Sequence, residues 1–244
     1  MNNDQVIWLS PEDGPDAFPD IQNALHEPDG LLAAGGDLSS ERLLTAYANG
    51  IFPWFDEGQP ILWWSPDPRC VLHAPDYHVS RRLKQTIPRS TLTLSYNQAF
   101  GEVIRACADE RKSQQGTWIT SNMISAYERM HCEGWAHSVE VWKSDRLVAG
   151  VYGLAIGKVF FGESMFSLEA NASKLALLGL CHQLARNRFA LIDCQVVSPH
   201  LITLGATTMP RVEFARILRS ACRPAIRFDR WPKKTLPIRD LLLK

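Results

Sequence analysis

The chain has 244 residues, 45% of them hydrophobic and 21% charged, which suits one large globular domain or two smaller ones with a sizeable core. Lys plus Arg and Asp plus Glu number 26 each, so the formal net charge is zero and a nucleic-acid partner has to be argued from a local basic patch. No run approaches the ~18 apolar residues of a membrane span, Met1-Asn2-Asn3-Asp4 lacks the form of a signal peptide, and the six cysteines make neither a C-x-x-C pair nor a zinc-ligand spacing. A soluble cytoplasmic protein with reduced thiols and no structural metal is expected.

Residues 1 to about 66 are dense in turn formers: Ser10-Pro11, Gly14-Pro15, Pro28-Asp29-Gly30 and Gly35-Gly36-Asp37. One helix stands out. Asp37 or Ser39 can cap it, Glu41 falls in its first turn, Leu43, Leu44 and Tyr47 supply its apolar face, and Asn49-Gly50 ends it. The rest of this stretch reads as loop with aromatic anchors, so residues 1–66 are expected to form a small α+β module leaning on residues 67–244. There the periodicity predicts a helix over 95–110 with Phe100, Val103, Ile104 and Cys107 inward, and a second over 121–133. Strands Ala136–Trp142 and Leu147–Ile156 flank the polar turn Lys143-Ser144-Asp145-Arg146, a hairpin signal. A strand Lys158–Phe161, a helix over about 171–187, a strand Leu191–Val197 and a short helix from Pro199 complete a mixed α/β pattern of hairpins and one crossover helix.

Residues 30–69, GLLAAGGDLSSERLLTAYANGIFPWFDEGQPILWWSPDPR, resemble the N-terminal signature of the leucyl/phenylalanyl-tRNA–protein transferases. Further matches follow in order: Gly116-Thr117-Trp118-Ile119, His137-Ser138-Val139-Glu140-Val141-Trp142, Gly162-Glu163-Ser164-Met165-Phe166-Ser167, Asn171-Ala172-Ser173-Lys174 and Leu191-Ile192-Asp193-Cys194-Gln195. The resemblance implies transfer of Leu or Phe, less readily Met, from aminoacyl-tRNA to the α-amine of proteins beginning with Arg or Lys, which marks them for degradation. It implies a monomer whose larger domain is GNAT-like, with no cofactor. Two rivals are an acetyl-CoA-dependent N-acetyltransferase of that fold and a non-catalytic tRNA- or peptide-binding module. GESMFSLEANASK lacks the Q/R-x-x-G-x-G/A pattern that cradles the coenzyme pyrophosphate, which counts against the first.

An aminoacyl ester is already activated, so the enzyme has only to position an amine, relieve it of a proton and stabilise an oxyanion. Asp193 and Gln195, at i and i+2 of a strand, are expected on one face. On the residues alone Asp193 reads first as a strand-end cap; the resemblance makes the pair the catalytic centre, with Asp193 orienting Gln195. Glu163, in a Gly-flanked turn after KVFF, is assigned to the acceptor's cation or amine. Trp118, Val151 and Phe160 are expected to wall the donor side-chain pocket, with Val151 standing where relatives often carry Met. Trp54, after a Pro in a loop, is the residue of choice to stack on the terminal adenosine. Arg81, Arg82 and Lys84, and alternatively Lys233-Lys234, are the candidate contacts to tRNA phosphates.

Overall fold

The computed structural model describes residues 6–115, 118–222 and 227–242. Its elements run β1 (Ile7–Leu9), β2 (Leu31–Gly35), α1 (Ser40–Ala48), β3 (Phe52–Pro53), β4 (Leu62–Trp64), β5 (Arg69–Leu72), α2 (Arg81–Thr86), β6 (Thr93–Tyr96), α3 (Phe100–Gln115), α4 (Ser121–Cys132), β7 (Ala136–Lys143), β8 (Arg146–Ile156), β9 (Val159–Ser167), α5 (Ala172–Arg186), β10 (Leu191–Gln195), α6 (Pro199–Thr203), β11 (Thr207–Met209), α7 (Arg211–Ala221) and β12 (Leu236–Pro237). The mixed α/β class expected from the sequence is what these elements show. Among the described residues no helix is long and apolar enough to cross a membrane.

The N-terminal stretch is more ordered than its turn formers suggest. Its four strands form a small sheet in the order β1-β2-β4-β3, where loop was expected. The strands are two to five residues long, too short to display an alternation, and backbone pairing rather than sequence pattern defines them. Helix α1 forms as its sequence dictates. The Ser39 hydroxyl accepts from the Arg42 N–H, Asp37 pairs with Arg42, Leu43, Ala46 and Tyr47 are buried, and Gly50, at φ 79°, takes the left-handed turn after the helix.

The remaining strands form an eight-stranded sheet, β11-β5-β10-β9-β8-β7-β6-β12. Helices α3 and α4 cover one face and α5 the other, so β7 and β8 are buried on both sides over most of their length. On α4, Met123, Ala126, Tyr127 and Met130 fall on one stripe and all are buried. The core under α3 and α4 runs without a break into the small sheet: Leu43, Tyr47 and Trp63 belong to the same cluster as Ile104 and Phe161. The core under α5 gathers Leu94, Val141, Leu177, Leu180 and Ile192. Its topology is compatible with a GNAT-like arrangement, with the crossover β9–α5–β10 supplying a parallel pair.

Two boundaries differ from expectation. The helix expected from residue 95 begins at Phe100, because Thr93–Tyr96 is the strand β6, paired antiparallel with β7. Asn97, at φ 58°, ends the strand, and its Oδ1 accepts from the Ser138 N–H. The strand expected to stop at Phe161 continues to Ser167, so Glu163 lies within β9 and not in a turn.

Candidate active site

β9 and β10 pair in parallel from Val159/Leu191 only as far as Phe161/Asp193. Beyond that point the strands part, and each carries a bulge there. On β9, Gly162 and Ser164 face Gly153 and Tyr152 of β8, which leaves Glu163 as the extra residue. On β10, Asp193 and Gln195 face Val71 and Cys70 of β5, which leaves Cys194 extra. Bulges break a ladder and re-aim side chains; here two on adjacent strands open a cleft of about 380 Å³ between them. That volume lies within the roughly 300–1,000 Å³ of small-molecule sites.

The deep wall of the cleft is apolar and buried: Val151, Leu177, Leu180 and Ile192. The rim is exposed and also largely apolar, with Trp54 at 43%, Val196 at 44% and Val197 at 45%. Trp118 lines the cleft as well, and the carboxylate among the described lining residues is that of Glu163. Gly116 and Thr117, matched beside Trp118 in the sequence, lie outside the described residues.

Glu163 is held from three sides. Its Oε1 accepts from the Tyr47 hydroxyl at 2.7 Å and from Gln195 Nε2 at 2.8 Å, and its Oε2 accepts from the Tyr127 hydroxyl at 2.9 Å. The two tyrosine hydroxyl oxygens also lie within hydrogen-bonding distance of each other. Burial pushes the Glu163 carboxyl up to about 7; the three donors oppose that rise and the charge on Asp193 adds to it. Burial, then the charge on Glu163, pushes both phenols well above their ordinary range, so they remain neutral donors.

Behind Gln195 lies a second layer. Asp193 is fully buried, and its carboxylate takes the Arg69 guanidinium bidentately, Nε to Oδ1 at 2.8 Å and Nη2 to Oδ2 at 2.6 Å. Oδ1 also accepts the Gln195 backbone N–H at 2.9 Å, and Gln195 stands at φ 63°. Arg69 donates to the Gly50 carbonyl at 3.0 Å and lies 4.8 and 4.7 Å from the ring centroids of Phe52 and Phe214. Asp193 therefore fixes the backbone of Gln195, whose side chain turns to Glu163. The shared strand face expected of the two is broken by the bulge.

The other expected residues fall in different places. Val151 and Trp118 line the cleft, and Trp54 stands on its rim with its carbonyl accepting from Trp64 Nε1. Phe160 is packed in the core under α5, edge-on to Trp231, and does not reach the cleft. Arg81, Arg82 and Lys84 are exposed on α2, apart from the cleft lining. Arg69, Tyr47 and Tyr127 escape a reading of the sequence as site residues. Tyr47 and Tyr127 look like ordinary members of apolar helix faces. For Arg69 a signal exists: it is the cation heading the otherwise apolar strand RCVL.

Residues 71–219 match the family model described as leucyl/phenylalanyl-tRNA protein transferase, and residues 36–67 match the model of that family's N-terminal domain. The chain belongs to the leucyl/phenylalanyl-tRNA–protein transferase family. The leucyl/phenylalanyl-tRNA–protein transferase of Cellvibrio japonicus is 54% identical over 87% of this chain and 90% of its own length. That of Tolumonas auensis is 49% identical over 96% of this chain and all of its own. The protein is thus an aminoacyltransferase that uses aminoacyl-tRNA and protein substrates, and both rival readings, an acetyl-CoA-dependent acetyltransferase and a non-catalytic module, fall away.

Proposed function

We propose that this leucyl/phenylalanyl-tRNA–protein transferase moves Leu or Phe, and less readily Met, onto proteins beginning with Arg or Lys, and that the product N-terminus directs them to degradation. The observation that carries the reading is an apolar cleft with a buried, near-neutral-pKa carboxylate and an oriented amide at its floor. The wall around Val151, Leu177 and Leu180 receives the donor side chain. An apolar pocket separates chains differing by one methylene by only ~1–3 kcal/mol, which accounts for shared use of Leu, Phe and Met.

In the reaction the acceptor's amine nitrogen bonds to the ester carbonyl carbon, the bond from that carbon to the ribose oxygen breaks, the amine gives up a proton and the ribose oxygen gains one. A free α-amine titrates at about 7.7–8.0, so a carboxyl near 7 is matched to accept from it at neutral pH. Glu163 is the group for that task. Gln195 commits its Nε2 to Glu163, which leaves its Oε1 to accept from the incoming amine. Asp193, clamped by Arg69, acts through the Gln195 backbone as a positioning residue. Trp54 offers its face at the rim to the terminal adenosine, and Arg81, Arg82 and Lys84 take acceptor-stem phosphates. Residues 1–66 and 67–244 are read as the small and the GNAT-like domain of a monomer.

The test is direct. Incubation with Leu-tRNA or Phe-tRNA and an Arg-initiated peptide should add one Leu or Phe to the peptide by mass spectrometry, and Gln195→Ala should abolish the adduct while binding charged tRNA normally. An unmodified peptide with the parent enzyme, or full activity in the variant, would overturn the reading.

A further inference from the structure

The bulge residue of β10 is a cysteine, and a second cysteine faces it. Cys194 is half-buried and lines the cleft, while Cys70 is fully buried on β5, opposite Gln195. Both side chains belong to the core under α5, so they point to the same side of the sheet. Where a bulge sets two residues against one, Cys70 confronts both Cys194 and Gln195. Antiparallel partners sit ~4.5–5.5 Å apart at Cα; the direct partner of Cys70 is Gln195, Cys194 is the next residue along, and a disulfide spans Cα separations of ~4.4–6.8 Å. The two thiols act on each other: the Cys194 neighbour holds Cys70 below its usual range, and the Cys70 neighbour together with burial drives Cys194 well above it, while the Cys194 S–H points to the Ile192 carbonyl at 4.0 Å. Two facing thiols supply both an attacking and a resolving sulfur.

We propose that Cys70 and Cys194 are an oxidation site at which a hydroperoxide entering the cleft closes a disulfide across β5 and β10, pinning the bulge that sets Gln195. The Cys194 sulfur attacks one peroxide oxygen and its S–H proton is released. The O–O bond breaks, the departing hydroxide takes that proton to become water, and Cys194 is left as a sulfenic acid. The Cys70 sulfur then attacks the Cys194 sulfur, the S–O bond breaks, and the hydroxyl leaves as a second water with the Cys70 proton. Two thiols lose two electrons and the peroxide gains them. The crosslink constrains the residue between Asp193 and Gln195 and changes a wall of the cleft, so transfer stops. The crosslink itself is independent of the transfer chemistry; its effect on turnover rests on the reading of the cleft given above.

The experiment uses the full chain carrying Cys132→Ser, which removes the cysteine on the exposed end of α4. It is treated with hydrogen peroxide and followed by intact mass, non-reducing peptide mapping and Leu transfer. The expected product is lighter by about 2 Da, two hydrogens, with the peptides of Cys70 and Cys194 joined. Transfer should fall by roughly 100-fold, the cost of ~1 Å misplacement in a reacting geometry, and dithiothreitol should restore both mass and rate. Adding Cys70→Ala should leave transfer intact and abolish the joined peptides. No joined peptide, or a link from Cys194 to Cys181 on α5, would overturn the site. A fully joined protein that transfers at the parent rate would overturn its consequence and, with it, the placement of Gln195 in the reaction.

Discussion

Glu163→Gln separates the ionisation of the buried carboxylate from its shape. The variant keeps the side-chain length and can still bond Tyr47, Tyr127 and Gln195, but it carries no titrating proton. In the parent, burial raises this carboxyl from its usual 4.5 to about 7. Below 4.5 the folded and unfolded chains both hold the proton; between 4.5 and about 7 the folded chain keeps a proton that the unfolded chain has lost. In that window the parent loses stability relative to the variant, at ~1.4 kcal/mol per pH unit. The window is the difference between about 7 and 4.5, so the relative loss reaches ~3 kcal/mol and is flat above it. For a chain of this size each kcal/mol moves Tm by ~2–4 °C, which makes the expected shift roughly 6–12 °C. The assay is thermal unfolding of both proteins from about pH 4 to about pH 8.5, read as the difference between the two Tm curves. The variant should gain on the parent as pH rises, even though it no longer transfers. Parallel curves would refute the raised titration and, with it, the case for Glu163 as the group that accepts the amine's proton.

Three further outcomes test the remaining parts. Asp193→Asn removes the partner of a buried guanidinium, so stability should fall by ~3–5 kcal/mol and kcat should drop, with KM for charged tRNA little changed; unchanged kcat would reduce Asp193 to a fold-stabilising residue. Val151→Met narrows the deep wall, and the ratio of kcat/KM for Phe over Leu should fall by about tenfold or more; an unchanged ratio would place the donor side chain elsewhere. Replacing Arg81, Arg82 and Lys84 together by Ala should raise KM for charged tRNA and flatten its log–log salt dependence by ~0.9 per lost phosphate contact. A minimal 3′-aminoacyl-adenosine donor should be unaffected, and equal loss with both donors would make the cluster structural.

Much of the larger sheet was legible because its elements are long and strongly patterned. α4, the β7–β8 hairpin and α5 lie within a residue or two of where periodicity puts them. Asp193 and Gln195 stand out as a carboxylate and an amide on an otherwise apolar strand, and the family resemblance is what makes them site residues. How they are joined could not be read. Alternation assumes an unbroken ladder, and both strands break it at the residues that matter, so Asp193 and Gln195 turn to different partners. Phe160 illustrates the same limit: one residue from Phe161, it points to the opposite core. The pairing of Arg69 with Asp193 could not be read for another reason, because the two are 124 positions apart in the chain.

The socket around Arg69 draws on Gly50 and Phe52 from one side of the chain and on Asp193 and Phe214 from the other. Inheritance of the two halves is therefore coupled. A recombination between relatives at any point from 53 to 68 joins a rim from one parent to a guanidinium and carboxylate from another. Such a hybrid works only where both parents shape that socket alike. The loop between β4 and β5 looks like a natural seam, yet it is the place where shuffling would most directly disturb the chemistry.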